Sequence, residues 1–299
     1  MFRLEKLIPS ESNINFLKLR KNFLIISIAF LIISILLMIF KGLNLGIDFK
    51  GGTLIEISTK NSNISELRTI LSPNFNDVTL QEFGNKETII IKLQNKDNQE
   101  SIETINQVKS LIGDKVLEFR RSEFVGPTIS AELLWKGFQA VSFALIAILI
   151  YIWLRFEWQF GFGAVVALTH DVIFTLGVLS IFSIEFSLST IAAILTIAGY
   201  SINDTVVIFD RVRENLRKYK KLELIELFNL SINNTLSRTI MTSLTTLLAL
   251  SSLYIFGGEV IKPFALTMII GVMIGTYSSI FIAVPTLLIF KFRPQDEDD

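Results

Sequence analysis

Six apolar runs, each long enough to cross a bilayer, constrain this 299-residue chain more than any other feature. They cover about 23–40, 134–154, 160–182, 186–209, 238–256 and 263–290, against the roughly 17 to 25 residues that a spanning helix needs. Hydrophobic residues make up 51% of the chain, which excludes a soluble globule of this length and predicts a polytopic α-helical membrane protein. The 28 basic and 28 acidic residues cancel, yet they concentrate in 1–21, 41–136, 210–238 and the tail, leaving long stretches nearly bare. The absence of cysteine excludes disulfides, thiolate metal sites and cysteine nucleophiles, and His170 is the only histidine.

Short-loop charge sets the expected orientation. Arg155 follows the second run, and Arg211, Arg213, Arg217, Lys218, Lys220 and Lys221 lie between the fourth and fifth, so these loops are expected on the cytoplasmic side. An even number of spans then puts both termini there. The chain divides into a cytoplasmic segment at 1–22, a first span at 23–40 and an extracytoplasmic domain at 41–133. A five-span bundle follows at 134–290, with a cytoplasmic loop at 210–237 and a cytoplasmic tail at 291–299. Arg3, Lys6, Lys18, Arg20 and Lys21 precede the first run, but no small-x-small cleavage site follows it, so it reads as a retained signal anchor.

Residues 41–133 interleave charges with Ile, Leu, Val and Phe, the pattern of a domain that folds in water. Strand alternation occurs at 53–58, 78–83, 88–93 and 116–125, and helical spacing at 64–71 and 102–112. The order β-α-β-β-α-β is that of a ferredoxin-like α+β domain. The preceding Gly42-Leu-Asn-Leu-Gly46-Ile-Asp48-Phe-Lys-Gly51-Gly52 permits tight turns and lacks the spacing of a phosphate loop.

The candidate site lies inside the membrane runs. A carboxylate at that depth costs roughly 2.5 to 3.5 kcal/mol on insertion scales, so Asp204 is expected to face a polar interior or an ion path. It shares a helix face with Ser201 and Thr205 at i−3 and i+1. Arg238 opens the fifth run with Thr242, Thr245 and Thr246 on its own face, and Thr239 and Ser243 widen the polar surface. Asp204 and Arg238 fall near one depth, where they could pair, and a switch between paired and separated geometries would load and release a proton. His170 and Asp171 lie deeper, near the middle of the third run, and extend the polar track. The competing structural readings are a hydrogen-bonded aspartate, an arginine that snorkels to the interface, and a His-Asp pair bonded to neighbouring helices. Gly271, Gly275, Ser279 and Ala283 recur every four residues in the sixth run, a packing stripe.

Four motifs, in order, carry a resemblance: Gly46-Ile-Asp-Phe-Lys-Gly51-Gly52-Thr53, His170-Asp171-Val172, Gly199-Tyr-Ser-Ile-Asn-Asp204 through Asp210-Arg-Val-Arg-Glu-Asn215, and Thr235-Leu-Ser-Arg238-Thr-Ile-Met-Thr-Ser243. Across essentially its full length the chain resembles the SecF half of the SecD/SecF family of bacterial protein-export membrane proteins, within the resistance-nodulation-division (RND) superfamily. The resemblance implies a half-RND bundle in the inner membrane that pairs with SecD. It further implies association with the SecYEG channel, with YajC as a further candidate partner, and use of a proton or sodium gradient to draw SecA-dependent preproteins outward. No enzyme activity, cofactor, metal or nucleic acid is implied beyond H⁺ or Na⁺ as coupling ion. Asp204 matches the family's coupling-ion aspartate and Arg238 its arginine partner, with His170, Asp171, Ser201, Thr205, Thr242 and Thr246 as the supporting track.

Three other functions compete. A half-size RND-type exporter of lipid or small molecules would keep the charged spans, but would need a larger extracytoplasmic pocket. An intramembrane hydrolase lacks its motifs, because Ser-Ile-Asn precedes Asp204 and Ile202 follows Ser201. A scaffold is separated only by ion dependence. Polar faces on spans 3 to 5 of a six-span unit call for a membrane partner.

Overall fold

The computed structural model describes residues 13–59, 63–75, 78–83, 85–93, 101–258 and 260–290. Among them are six helices long and apolar enough to cross a membrane. A 3₁₀ turn at Phe16–Leu19 leads into α1 (Arg20–Phe40). The next spans are α5 (Pro127–Arg155), α6 (Trp158–Ile181), α7 (Leu188–Lys218) and α8 (Leu224–Phe256). The last runs through α9 (Lys262–Ser278), a π-helical turn at Ser279–Ala283, and α10 (Val284–Ile289). Pro285 has no N–H and its ring crowds the carbonyl of residue 281, so the helical ladder slips to the wider turn just before it.

Between α1 and α5 come β1 (Asn44–Leu45), α2 (Ile47–Lys50), β2 (Gly52–Thr59), α3 (Ile64–Leu71), β3 (Val78–Phe83), β4 (Asn85–Leu93), α4 (Ser101–Ile112) and β5 (Val116–Val125). The sheet runs β3-β4-β2-β5 with every neighbouring pair antiparallel. That is the ferredoxin-like arrangement, with the first strand paired to the third and the last. Alternation puts Ile55 and Ile57 of β2 and Ile89, Ile91 and Leu93 of β4 on one face, where Leu67 and Leu71 of α3 and Val108 and Ile112 of α4 cover them. Each such side chain contributes roughly 1.5 to 3 kcal/mol of burial.

In the bundle, 67% of the sixth span's apolar window is buried against 11% for the first and second, so α9 runs through the centre while α1 and α5 lie at the rim. Close helix approach explains this position. A Cβ on Gly271 would stand 2.2 Å from Ile197 Cδ1, and one on Gly275 would stand 2.9 Å from Ser201 Cβ, both on α7. Gly177 of α6 likewise lies against Ser34 of α1. The small-residue stripe therefore packs helices, as its spacing suggested.

The structure departs from the sequence reading in three places and adds a contact that the reading did not address. Residues 210–237, read as a loop, are mostly helical, because α7 reaches Lys218 and α8 starts at Leu224. Val212, Leu216, Leu227, Phe228 and Ile232 continue the apolar core there with Leu17, and this buried stripe holds both helices together beneath their charges. The second span begins at Pro127 rather than 134, with proline in the first turn, where a missing N–H leaves no bond unmade. The linker after α1 is not a plain turn, since β1 pairs in parallel with β6 (Glu185–Phe186) and α2 buries Phe49 against Phe186. Residues 13–19 pack on α8, where Asn233 accepts from the Ile14 N–H at 2.9 Å and donates to the Ile14 carbonyl at 2.9 Å. The expected tail at 291–299 and the first twelve residues lie outside the described residues.

Candidate functional site

Asp171 of α6 is fully buried and is the hub of the bundle's polar centre. Its Oδ1 lies 3.0 Å from His170 Nδ1, and its Oδ2 accepts from Ser201 Oγ of α7 at 2.5 Å and from Ser278 Oγ of α9 at 2.7 Å. Three helices thus close on one carboxylate. All four side chains are at most 2% exposed. Charge-assisted hydrogen bonds of this kind are stronger than neutral ones, which offsets part of the cost of burying the group. Gly275 lets Ser201 come this close. His170 Nε2 has no hydrogen-bond partner, and the ring sits between Phe174 and Tyr277, with centroids 5.5 and 6.3 Å away.

Asp204 is one helical turn beyond Ser201 on α7 and 3% exposed, and its Oδ2 is buried without a hydrogen-bond partner. Thr205 beside it is 1% exposed. Asp204 and Arg238 stand at matching distances from the α7–α8 turn, each about 21 Å along its helix from Lys218 or Leu224 at 1.5 Å per residue. They share a depth but form no ion pair. Arg238 is exposed and lines a groove of 230 Å³ between α7 and α8 with Val207, Asp210, Arg211, Glu214, Asn234 and Thr235.

Of the sequence-identified residues, the structure joins His170, Asp171 and Ser201, and places Asp204 and Thr205 next to them on α7. Arg238 faces the α7 side of that groove without pairing to Asp204, and Thr242 and Thr246 sit on the less buried faces of α8; Thr242 bonds back to the carbonyls of Arg238 and Thr239. The buried face carries Thr239 and Ser243 instead, and Ser243 Oγ meets Thr276 Oγ1 of α9 at 2.7 Å. Ser278 was missed. Its signal was a hydroxyl one residue off the small-residue stripe of the sixth span. Among the described residues no group of three His, Cys, Asp or Glu side chains is placed to hold a metal ion.

A joint fastens the domain to the bundle at the other end of these helices. Asp48 Oδ2 accepts from the Leu188 N–H at 2.9 Å and so caps α7. Lys41 Nζ donates to the Ile181 carbonyl at 2.7 Å, Asn44 Nδ2 to the Ser183 carbonyl at 2.9 Å, and Lys92 of β4 pairs with Glu185. Gly51 and Gly52, at φ 73° and 138°, turn the chain from this joint into β2 through a conformation other residues rarely adopt.

Six spanning helices, a buried carboxylate network and a ferredoxin-like domain inserted after the first helix define a multi-pass membrane protein with a polar bundle centre. The family described as protein export membrane protein SecD/SecF, C-terminal, matches residues 105–293, and the SecD/SecF GG motif matches 36–62. The chain is 43% identical over 294 residues to the protein translocase subunit SecF of Rickettsia rickettsii (strain Sheila Smith), covering 96% of this chain and 95% of that one. It is similar to the crystal structure of SecDF from Thermus thermophilus, a translocon-associated membrane protein, at TM-score 0.85 and 35% identity over 95% of this chain. It is also similar to SecDF in a super-membrane-facing form, at TM-score 0.66 and 33% identity over 94% of this chain. In both cases the chain spans 39% of the SecDF length. The chain belongs to the SecD/SecF family of protein-export membrane proteins.

Proposed function

We propose that this chain is the SecF-type subunit of an accessory complex of protein export. It pairs with a SecD-type subunit, works beside the SecYEG channel, with YajC as a further candidate member, and uses a proton or sodium gradient to promote movement of preproteins that SecA has inserted. Its termini are cytoplasmic and the ferredoxin-like domain is extracytoplasmic, in keeping with the basic residues around the α7–α8 turn. Asp204 carries the reading: a buried membrane carboxylate with an unpartnered oxygen, at one depth with an arginine on the next helix that is free of any ion pair with it. Arg238 moving toward Asp204 would hold the carboxylate charged, and its withdrawal would let an ion bind. One charge crossing 100 mV releases about 2.3 kcal/mol, enough to bias two arrangements by more than tenfold.

The exposed side of α8 supports the partner. An exposed arginine and polar hydroxyls at membrane depth need a covering subunit rather than lipid. Matches to two SecDF structures over 95% and 94% of this chain, with TM-scores of 0.85 and 0.66, support more than one arrangement of this fold. The test is preprotein translocation into inverted vesicles containing channel, ATPase and both accessory subunits, with the gradient collapsed and restored. Asp204→Asn is expected to lose the gradient-dependent increment and keep the ATP-driven part; an unchanged increment makes the aspartate structural.

A further inference from the structure

Among the described residues seven buried side-chain atoms of the bundle have no hydrogen-bond partner; three, on Glu157, Gln159 and Arg213, lie at the end near the α7–α8 turn, and the other four are Thr175 Oγ1, His170 Nε2, Asp204 Oδ2 and Thr239 Oγ1. Measured from the end nearest the domain at 1.5 Å per residue, they fall at about 9, 16, 24 and 25 Å along their helices. Thr175 and Asp171 share a face of α6 at i and i+4, and Ser201 and Asp204 share one of α7 at i and i+3. Buried polar atoms that the protein leaves unpartnered are the places where water enters a structure. These four mark successive depths from the domain side to the level of Asp204.

We infer that His170 and Asp171 form a second proton-holding station, in series with Asp204 and joined to it by the Ser201 hydroxyl. The inference rests on the reading of Asp204 as the coupling site. With Nδ1–H donated to Asp171 Oδ1, the lone pair of His170 Nε2 is free to accept a proton, and the resulting imidazolium is balanced by the carboxylate at 3.0 Å. The rings of Phe174 and Tyr277 pack against it, with centroids at 5.5 and 6.3 Å. The titratable groups packed against it are Asp171 on its own helix and Tyr277 on α9. Ser201 Oγ–H donates to Asp171 Oδ2 in the resting arrangement. To pass a proton on, His170 gives its Nδ1 proton to Asp171 and stays neutral on Nε2–H, and the carboxyl turns to present that proton at Oδ2. The hydroxyl reorients to accept it while giving its own proton toward Asp204, so the hydroxyl and the proton count are unchanged. Ser278 donates to the same Asp171 oxygen from α9, away from Asp204. Its bond steadies the carboxylate but leads nowhere.

That difference makes the test. Proteoliposomes holding the two-subunit complex and a trapped pH dye are given an imposed pH gradient, and proton entry is timed for wild type, His170→Asn, Ser201→Ala, Ser278→Ala and Asp204→Asn. His170→Asn and Ser201→Ala are expected to slow entry about tenfold or more, the scale of a lost proton-transfer group, while Ser278→Ala, which removes only a bond that steadies the carboxylate, slows it by clearly less than Ser201→Ala. His170→Gln serves if the asparagine variant does not co-purify with the partner. Equal losses in Ser201→Ala and Ser278→Ala would show a purely structural hub and overturn the relay. So would undiminished entry in the His170 variants, or a flux carried by Na⁺ alone. Loss in Asp204→Asn with normal entry in the others sinks only the relay; normal entry in Asp204→Asn sinks the coupling reading beneath it.

Discussion

One added methyl group at Gly275 should force α7 and α9 apart. Its Cβ would lie 2.9 Å from Ser201 Cβ, 3.1 Å from Ser201 Oγ and 3.3 Å from Ser201 Cα. Carbon atoms pack at about 3.5 to 4.0 Å, so relief needs a movement of about 0.6 to 1 Å. No flexible side-chain end is available to give way, because the obstacles are the root of a serine and its backbone, and Ser201 is itself held by Asp171. Overpacking of this kind costs about 1 to 3 kcal/mol. Gly199→Ala on α7 is the control: nothing lies within 4 Å of its Cβ, and alanine improves helix propensity by about 0.8 to 1 kcal/mol. Unfolding of the purified complex in mixed micelles, titrated with SDS and followed by circular dichroism, reads both. Gly275→Ala should unfold earlier than wild type and Gly199→Ala should not. In a Ser201→Gly background the cost at Gly275 should shrink, since the obstructing Cβ is gone. Equal stability of the two alanine variants would refute the close-contact reasoning.

Further outcomes follow from other contacts. Ile91→Ala empties the centre of the domain sheet, where Ile91 is fully buried; about 2 to 5 kcal/mol of lost protection is expected in β2 and β4 by hydrogen exchange, with α6 to α9 unchanged. Asn233→Ala removes both bonds to the Ile14 backbone, at about 0.5 to 1.5 kcal/mol each, and should speed exchange across residues 13–19 without touching the domain. Lys92→Glu and Glu185→Lys should each weaken the joint between domain and bundle and together restore it, with a coupling of about 0.2 to 1 kcal/mol in a double-mutant cycle because both side chains keep some solvent contact.

What the sequence revealed was what local pattern and burial cost can reveal. The six spans follow from apolar runs, and the domain's strands and helices follow from periods of two and 3.6, so α3 at Ile64–Leu71 and β5 at Val116–Val125 coincide with the segments expected. Asp204 announced itself through the cost of a charge in lipid. Long-range choices were not legible. A helical wheel groups Arg238 with Thr242 and Thr239 with Ser243, but only packing against α7 and α9 decides that the second pair turns inward. Ser278 looked like filler beside a glycine stripe until α9 was placed against Asp171. The two-residue strands β1 and β6 are too short for any periodicity and pair across more than a hundred residues of chain. The charges of 210–237 suggested a loop, whereas the buried stripe from Val212 to Ile232 prevailed and kept it helical.

Coupling itself is tested most directly by following ion entry and preprotein movement on the same proteoliposomes, with wild type, Asp204→Glu and Asp204→Asn compared under an imposed gradient. Asp204→Asn is expected to lose ion entry and the gradient-driven increment together, and Asp204→Glu to retain both at reduced rate. An Asp204→Asn complex that still admits ions and still speeds transport, or that loses one while keeping the other, would contradict the assignment of Asp204 as the coupling site.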